Sequence, residues 1–81
     1  MNIYRFRFDC ECPNNNERIQ YSVEISTTRT VMVENIAAHF LSLTSAFHED
    51  IADEAFQKFG GHQVIKAHHH GVDVETRRGD Q

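Results

Sequence analysis

Eighty-one residues, 40% of them hydrophobic and 25% charged, suffice for one small domain near the lower size limit of a self-sufficient core and leave no room for a second. A formal net charge of −4 opposes binding to nucleic acid by bulk attraction. No apolar run approaches the roughly 20 residues that span a bilayer, and MNIYRFRFD alternates where a signal peptide would be unbroken, so a cytoplasmic protein is expected.

In NIYRFRFDC, Tyr4, Phe6, Phe8 and Cys10 alternate with Arg5, Arg7 and Asp9, the period of a half-buried strand. RIQYSVEIS repeats the period with Ile19, Tyr21, Val23 and Ile25. Between them Cys12 to Glu17 holds the only proline, Pro13, and three asparagines, which suit a tight connection. A turn centred between Asn14 and Asn15 sets Phe8 against Tyr21, Phe6 against Val23 and Tyr4 against Ile25. The same register sets Arg5 against Glu24 on the other face, so both faces agree on one hairpin. Cys10 continues the apolar stripe and is expected to be a buried, reduced thiol, with Cys12 more exposed at the turn.

From Val33 the period lengthens. Val33, Ile36, Ala37, Phe40, Leu43 and Phe47 mark an amphipathic helix that Thr28 or Thr30 would cap. The run Arg29 to Val33 reads equally as an extra strand. After a break at His48-Glu49-Asp50, a second stripe of Ile51, Ala52, Ala55, Phe56 and Phe59 predicts another helix, or one helix kinked near residue 49, with Asp50 as N-cap and Gly60-Gly61 as its stop. Glu34, Glu49, Asp50, Asp53 and Glu54 stand against Lys58 alone, so the whole net charge falls between residues 31 and 59.

The segment HQVIKAHHHGVDVE predicts a second hairpin, Ile65 and Ala67 facing Val74 and Val72, Lys66 meeting Asp73, and His68-His69-His70-Gly71 as the loop. One long strand bulged at His70-Gly71 is the alternative. The order ββααββ implies a single α+β domain over 1–81, a small antiparallel sheet with two helices packed on one face, and residues 76–81 frayed.

No catalytic constellation is evident: no phosphate loop, no nucleophile elbow and no second metal motif accompany the histidines, so catalytic residues and cofactors are expected to be absent. The triple histidine is the strongest chemical feature. Alternation on a strand would let only His68 and His70 converge on a metal, which makes them the metal candidates. A basic patch of Arg5, Arg7, Arg29 and Lys66 on the open sheet face offers an alternative nucleic-acid surface, set against overall acidity and the pairing of Arg5 with Glu24.

A binding protein remains. The expected protein contact is Glu49, Asp50, Asp53 and Glu54 with His68, His69 and His70, and a homodimer through a sheet edge is a further option. In size, acidity and lack of any motif over the whole chain, the sequence resembles the small phage-encoded anti-defence inhibitors, anti-CRISPR proteins among them. The resemblance implies a stoichiometric inhibitor in the host cytoplasm, docked on a host protein or nucleic-acid-handling complex such as a CRISPR effector.

Overall fold

A computed structural model describes residues 1–79. Its elements run β1 (Asn2–Glu11), β2 (Arg18–Thr27), α1 (Val33–Leu41), α2 (His48–Phe59), β3 (His62–His69) and β4 (Val72–Arg78). The strands form one antiparallel sheet in the order β1-β2-β3-β4, with α1 and α2 on one face. The α+β fold in ββααββ order thus stands as the sequence predicts.

The β1–β2 register is the expected one, Tyr4 on Ile25, Phe6 on Val23, Phe8 on Tyr21 and Arg5 on Glu24. The inner face of the sheet meets the helices through a chain of rings. Phe40 of α1, fully buried, lies 4.8 Å from Phe8, 6.2 Å from Phe6 and 6.1 Å from Phe59 of α2. Burying such a side chain stabilises by about 1.5–3 kcal/mol, so these rings are a main adhesive between the layers. His39, one residue before Phe40, is also buried and packs edge-on against Phe40 at 4.9 Å and Phe59 at 5.5 Å. Burial lowers its pKa, Lys58 lowers it further and Glu54 opposes, so the ring sits neutral among aromatics.

Several local expectations fail for identifiable reasons. The second hairpin pairs Ala67 with Val74, Lys66 with Glu75 and His68 with Asp73, a register two residues removed from the predicted one. His70 and Gly71 both have positive φ, 52° and 78°, and make a two-residue turn where a four-residue loop was expected. His68 and His69 therefore belong to β3. Thr76, Arg77 and Arg78, expected to fray, are in β4, and Thr76 is buried; positions 80 and 81 lie outside the described residues.

Arg29 to Met32 is neither strand nor helix. The helix N-caps are Met32 and Phe47, without side-chain hydrogen bonds, instead of Thr28, Thr30 or Asp50. Glu49 and Asp50 occupy the first turn of α2, where the helix dipole favours them. Val33 and Phe47, assigned to the apolar stripe, are exposed: Val33 is the first residue of α1, and Phe47 lies beyond its end at Leu41, off the helical period. That loop runs along the end of β1, with Glu11 N donating to Thr44 O and Ala46 N to Glu11 O. Cys12, expected to be exposed at the turn, is buried with the core cluster instead.

Gln63 of β3 is buried, and its Nε2 donates to Ala55 O at 3.0 Å and Gly60 O at 2.8 Å, tying the end of α2 to the sheet.

Candidate functional site

Two groups of reactive side chains collect at the end of the sheet where both hairpins turn. The first lies on the helix side. Cys10 follows Phe8 along the inner face of β1, Cys12 lies just past the strand's end, and Tyr21 of β2 stacks on Phe8 at 5.2 Å. His48, the first residue of α2, lies against Tyr21 with ring centroids 5.4 Å apart.

The electrostatics of this group follow from burial. The Tyr21 hydroxyl is pushed up to about 12 by desolvation, with the two cysteines adding. Desolvation also raises the Cys10 thiol, which keeps it protonated and inert. His48 is lowered, mainly by burial; Glu49 opposes the shift and Arg78 adds to it. Its buried Nε2 has no hydrogen-bond partner among the described residues. A neutral imidazole with a free nitrogen against a phenol, at the end of the core that holds both thiols, is equipped to accept a proton.

The second group lies at the turn tips, which sit side by side because β2 and β3 are neighbours. Asn15 Nδ2 donates to His70 Nε2 at 2.9 Å, and its Oδ1 accepts from Glu17 N at 3.0 Å. His69 Nε2 is 3.0 Å from Glu17 Oε2, and His70 Nε2 is 3.5 Å from the same oxygen. The His69 and His70 rings overlap at 4.3 Å. His68 is elsewhere, its Nδ1 2.7 Å from Asp73 on the open face. The metal candidates are thus corrected: strand alternation favoured His68 with His70, but the positive φ of His70 ends the alternation and brings His70 beside His69.

The remaining predicted contacts scatter. Glu49 and Asp53, one turn apart on α2, both bind Arg78 of β4, at 2.6 Å and 2.9 Å. Those two hydrogen bonds, Asp53 first, raise the Arg78 pKa. Half of the acidic face is therefore neutralised within the fold, while Asp50 and Glu54 stay exposed. The basic patch is dispersed as well. Arg5 pairs with Glu24 at 2.8 Å, Lys66 with Glu75 at 3.8 Å, and Arg29 donates to Phe59 O away from the open face. Arg77 holds the Glu75 carboxyl below the usual carboxylate range. Arg7 alone of the four has neither an ion pair nor a side-chain hydrogen bond among the described residues. It borders a groove of about 1040 Å³ together with Arg18, Lys66, His68 and Glu75.

Known proteins bear on the fold. No protein-family model matches the chain and no curated protein matches it. A solved structure does: a chain described as the crystal structure of the archaeosine synthase QueF-Like in the apo form superposes with a TM-score of 0.67, over 99% of this chain and 94% of that one, at 18% identity. The fold is shared. The match runs the length of both chains, so it takes in both hairpins, both helices and the turn end where the two groups lie.

Sequence reasoning missed His48, Tyr21, Glu17 and Asn15 as site residues. His48 fell in the break between two apolar stripes, and Tyr21 was in phase with the core. Glu17 and Asn15 read as turn residues, and only the adjacency of β2 and β3 brings them to the histidines. No helix of the described residues is long and apolar enough to cross a membrane.

Proposed function

We propose that this chain is a nucleoside-modifying enzyme of the kind its structural neighbour is named for, with Cys12 as nucleophile and His48 as the base that serves it. The observation that carries the reading is the unpartnered Nε2 of His48, held neutral against Tyr21 at the same end of the core as two buried thiols. A buried nitrogen with no partner costs about 1–3 kcal/mol, which a fold retains where the group meets a ligand or moves a proton. The full-length likeness to an archaeosine synthase supports a modified nucleobase or nucleoside as substrate.

In this reading the two cysteines have different roles. Cys10 lies deeper, is 1% exposed and has a raised pKa, whereas Cys12 stands where β1 gives way to the turn. His48 Nε2 takes the Cys12 proton, and the thiolate adds to an unsaturated electrophilic carbon of the substrate, whose π bond opens so that its electron pair moves to the attached heteroatom. The Tyr21 hydroxyl, still protonated at neutral pH, donates a hydrogen bond to the charge that develops.

The test is incubation of the protein with archaeosine precursor bases, followed by intact mass and peptide mapping. Adduct on Cys12 in the wild-type and C10S proteins, absent in C12S, is the expected result. No adduct and no calorimetric binding of any precursor would overturn the proposal.

A competing proposal is stoichiometric inhibition of a host complex in the anti-CRISPR manner. It is favoured by Phe47, 51% exposed, on the same helical side as Asp50 and Glu54, which have no ion pair among the described residues. Capture of a CRISPR effector by the wild-type protein, lost in D50K/E54K, is its signature.

A further inference from the structure

We propose that Glu17, His69 and His70 form a binding site for one divalent transition-metal cation, of which zinc is the best fit. The donor atoms Glu17 Oε2, His69 Nε2 and His70 Nε2 all lie within 4.8 Å of one another. Ligands held about 2.0–2.1 Å from a tetrahedral zinc stand roughly 3.3 Å apart. The carboxylate oxygen is 3.0 Å from one imidazole nitrogen and 3.5 Å from the other, on either side of that spacing.

The hydrogen-bond pattern points the same way. Asn15 Nδ2 has only protons to offer, so the His70 Nε2 that it meets presents its lone pair. The same unprotonated nitrogen lies 3.5 Å from Glu17 Oε2, so it becomes a metal donor beside the carboxylate once the Asn15 amide is displaced. Two imidazoles and one carboxylate suit zinc, copper or nickel better than magnesium or calcium, which prefer all-oxygen shells. The exposure of Glu17 and His70, side chains 48% and 68% accessible, leaves room for water to complete the coordination.

The site differs in kind from adventitious capture by a run of histidines. Its third ligand comes from the other hairpin, and His68 is turned away onto Asp73. A metal here links residues 52 positions apart in the chain and fixes the two turn tips to each other.

Calorimetric titration of metal-stripped protein with zinc chloride is expected to give one saturable zinc per chain. E17Q should weaken binding by about tenfold or more, and H69Q/H70Q should abolish it, while H68Q stays within about twofold of wild type. Binding that is indifferent to E17Q, or that H68Q weakens as much, overturns the site in favour of a simple histidine run. Zinc-edge X-ray absorption on the wild-type protein needs no variant to fold: two imidazoles with oxygen donors support the site, and three imidazoles or a sulfur ligand overturn it. Failure to reach one zinc per chain overturns it outright.

Discussion

Replacing Gln63 tests whether one buried amide secures the end of α2 to β3. Its Nε2 donates to Ala55 O and Gly60 O, while its Oε1 is buried without a partner among the described residues. Q63L keeps most of the volume, removes both donations and also removes the unpartnered oxygen. Two hydrogen bonds at about 1 kcal/mol each, offset in part by that last gain, give an expected loss of about 1–2 kcal/mol. At about 4–8 °C per kcal/mol for a domain of this size, Tm should fall by roughly 4–16 °C.

Q63E is the sharper probe, because it presents a carboxyl group to two carbonyl oxygens and only the protonated form can donate. Its folded-state pKa is therefore raised above the unfolded value of about 4.3. The sign follows from linkage: stability is fully present below that unfolded value and is lost as pH rises through the folded pKa. Urea denaturation of wild type, Q63L and Q63E at several pH values between about 4 and 8 measures this. The reasoning is refuted if Q63L matches or exceeds wild-type stability and the gap between Q63E and wild type does not widen with pH.

Two further predictions concern the core and the turns. His39 and His48 both have lowered folded-state pKa values, so their contribution is present above the unfolded value of about 6.5 and is lost as pH falls through the folded pKa. H39L should flatten the acid side of the stability profile by up to about 1.4 kcal/mol per pH unit, and an unaltered slope in urea melts would contradict a neutral buried ring. For the glycines, a Cβ at Gly71 meets nothing within 4 Å, so G71A should cost only the left-handed penalty of about 1–2 kcal/mol. Gly61 has φ 71°, and a Cβ there would lie 2.5 Å from Ser26 O, so G61A should cost clearly more; equal midpoints in denaturant would count against that clash.

The first hairpin was legible in full because the inner stripe and the Arg5–Glu24 pair each fix the register independently. The second was legible only to within two residues. A slip of two leaves every side chain on its own face, so alternation could not detect it. Charge could not either, since Lys66 finds an acid at Asp73 or at Glu75. What decides it is the two-residue turn, and that depends on His70 accepting a positive φ that sequence favours in glycine and asparagine.

The site was less legible than the fold for the same kind of reason. His39 and Gln63 are polar residues in apolar surroundings, which their polarity, whatever their phase, assigns to solvent. His48 is brought to Tyr21 by the approach of α2 to the sheet, and Glu17 is brought to His69 by strand order. None of these is a local property of the chain. The acidic run was visible as charge, yet the binding of Glu49 and Asp53 by Arg78 could not be seen from it.

The strand order also bears on how the chain reaches this state. β1–β2 and β3–β4 are each closed by a tight turn and can zip locally, but the central seam between β2 and β3 joins strands separated by both helices and their loops. Closing that seam carries the loop entropy of the whole helical connection before any contact rewards it. Val23 and Ile65, which face each other across it, are therefore where folding speed is decided, and the turn-tip chemistry exists only once the seam has closed.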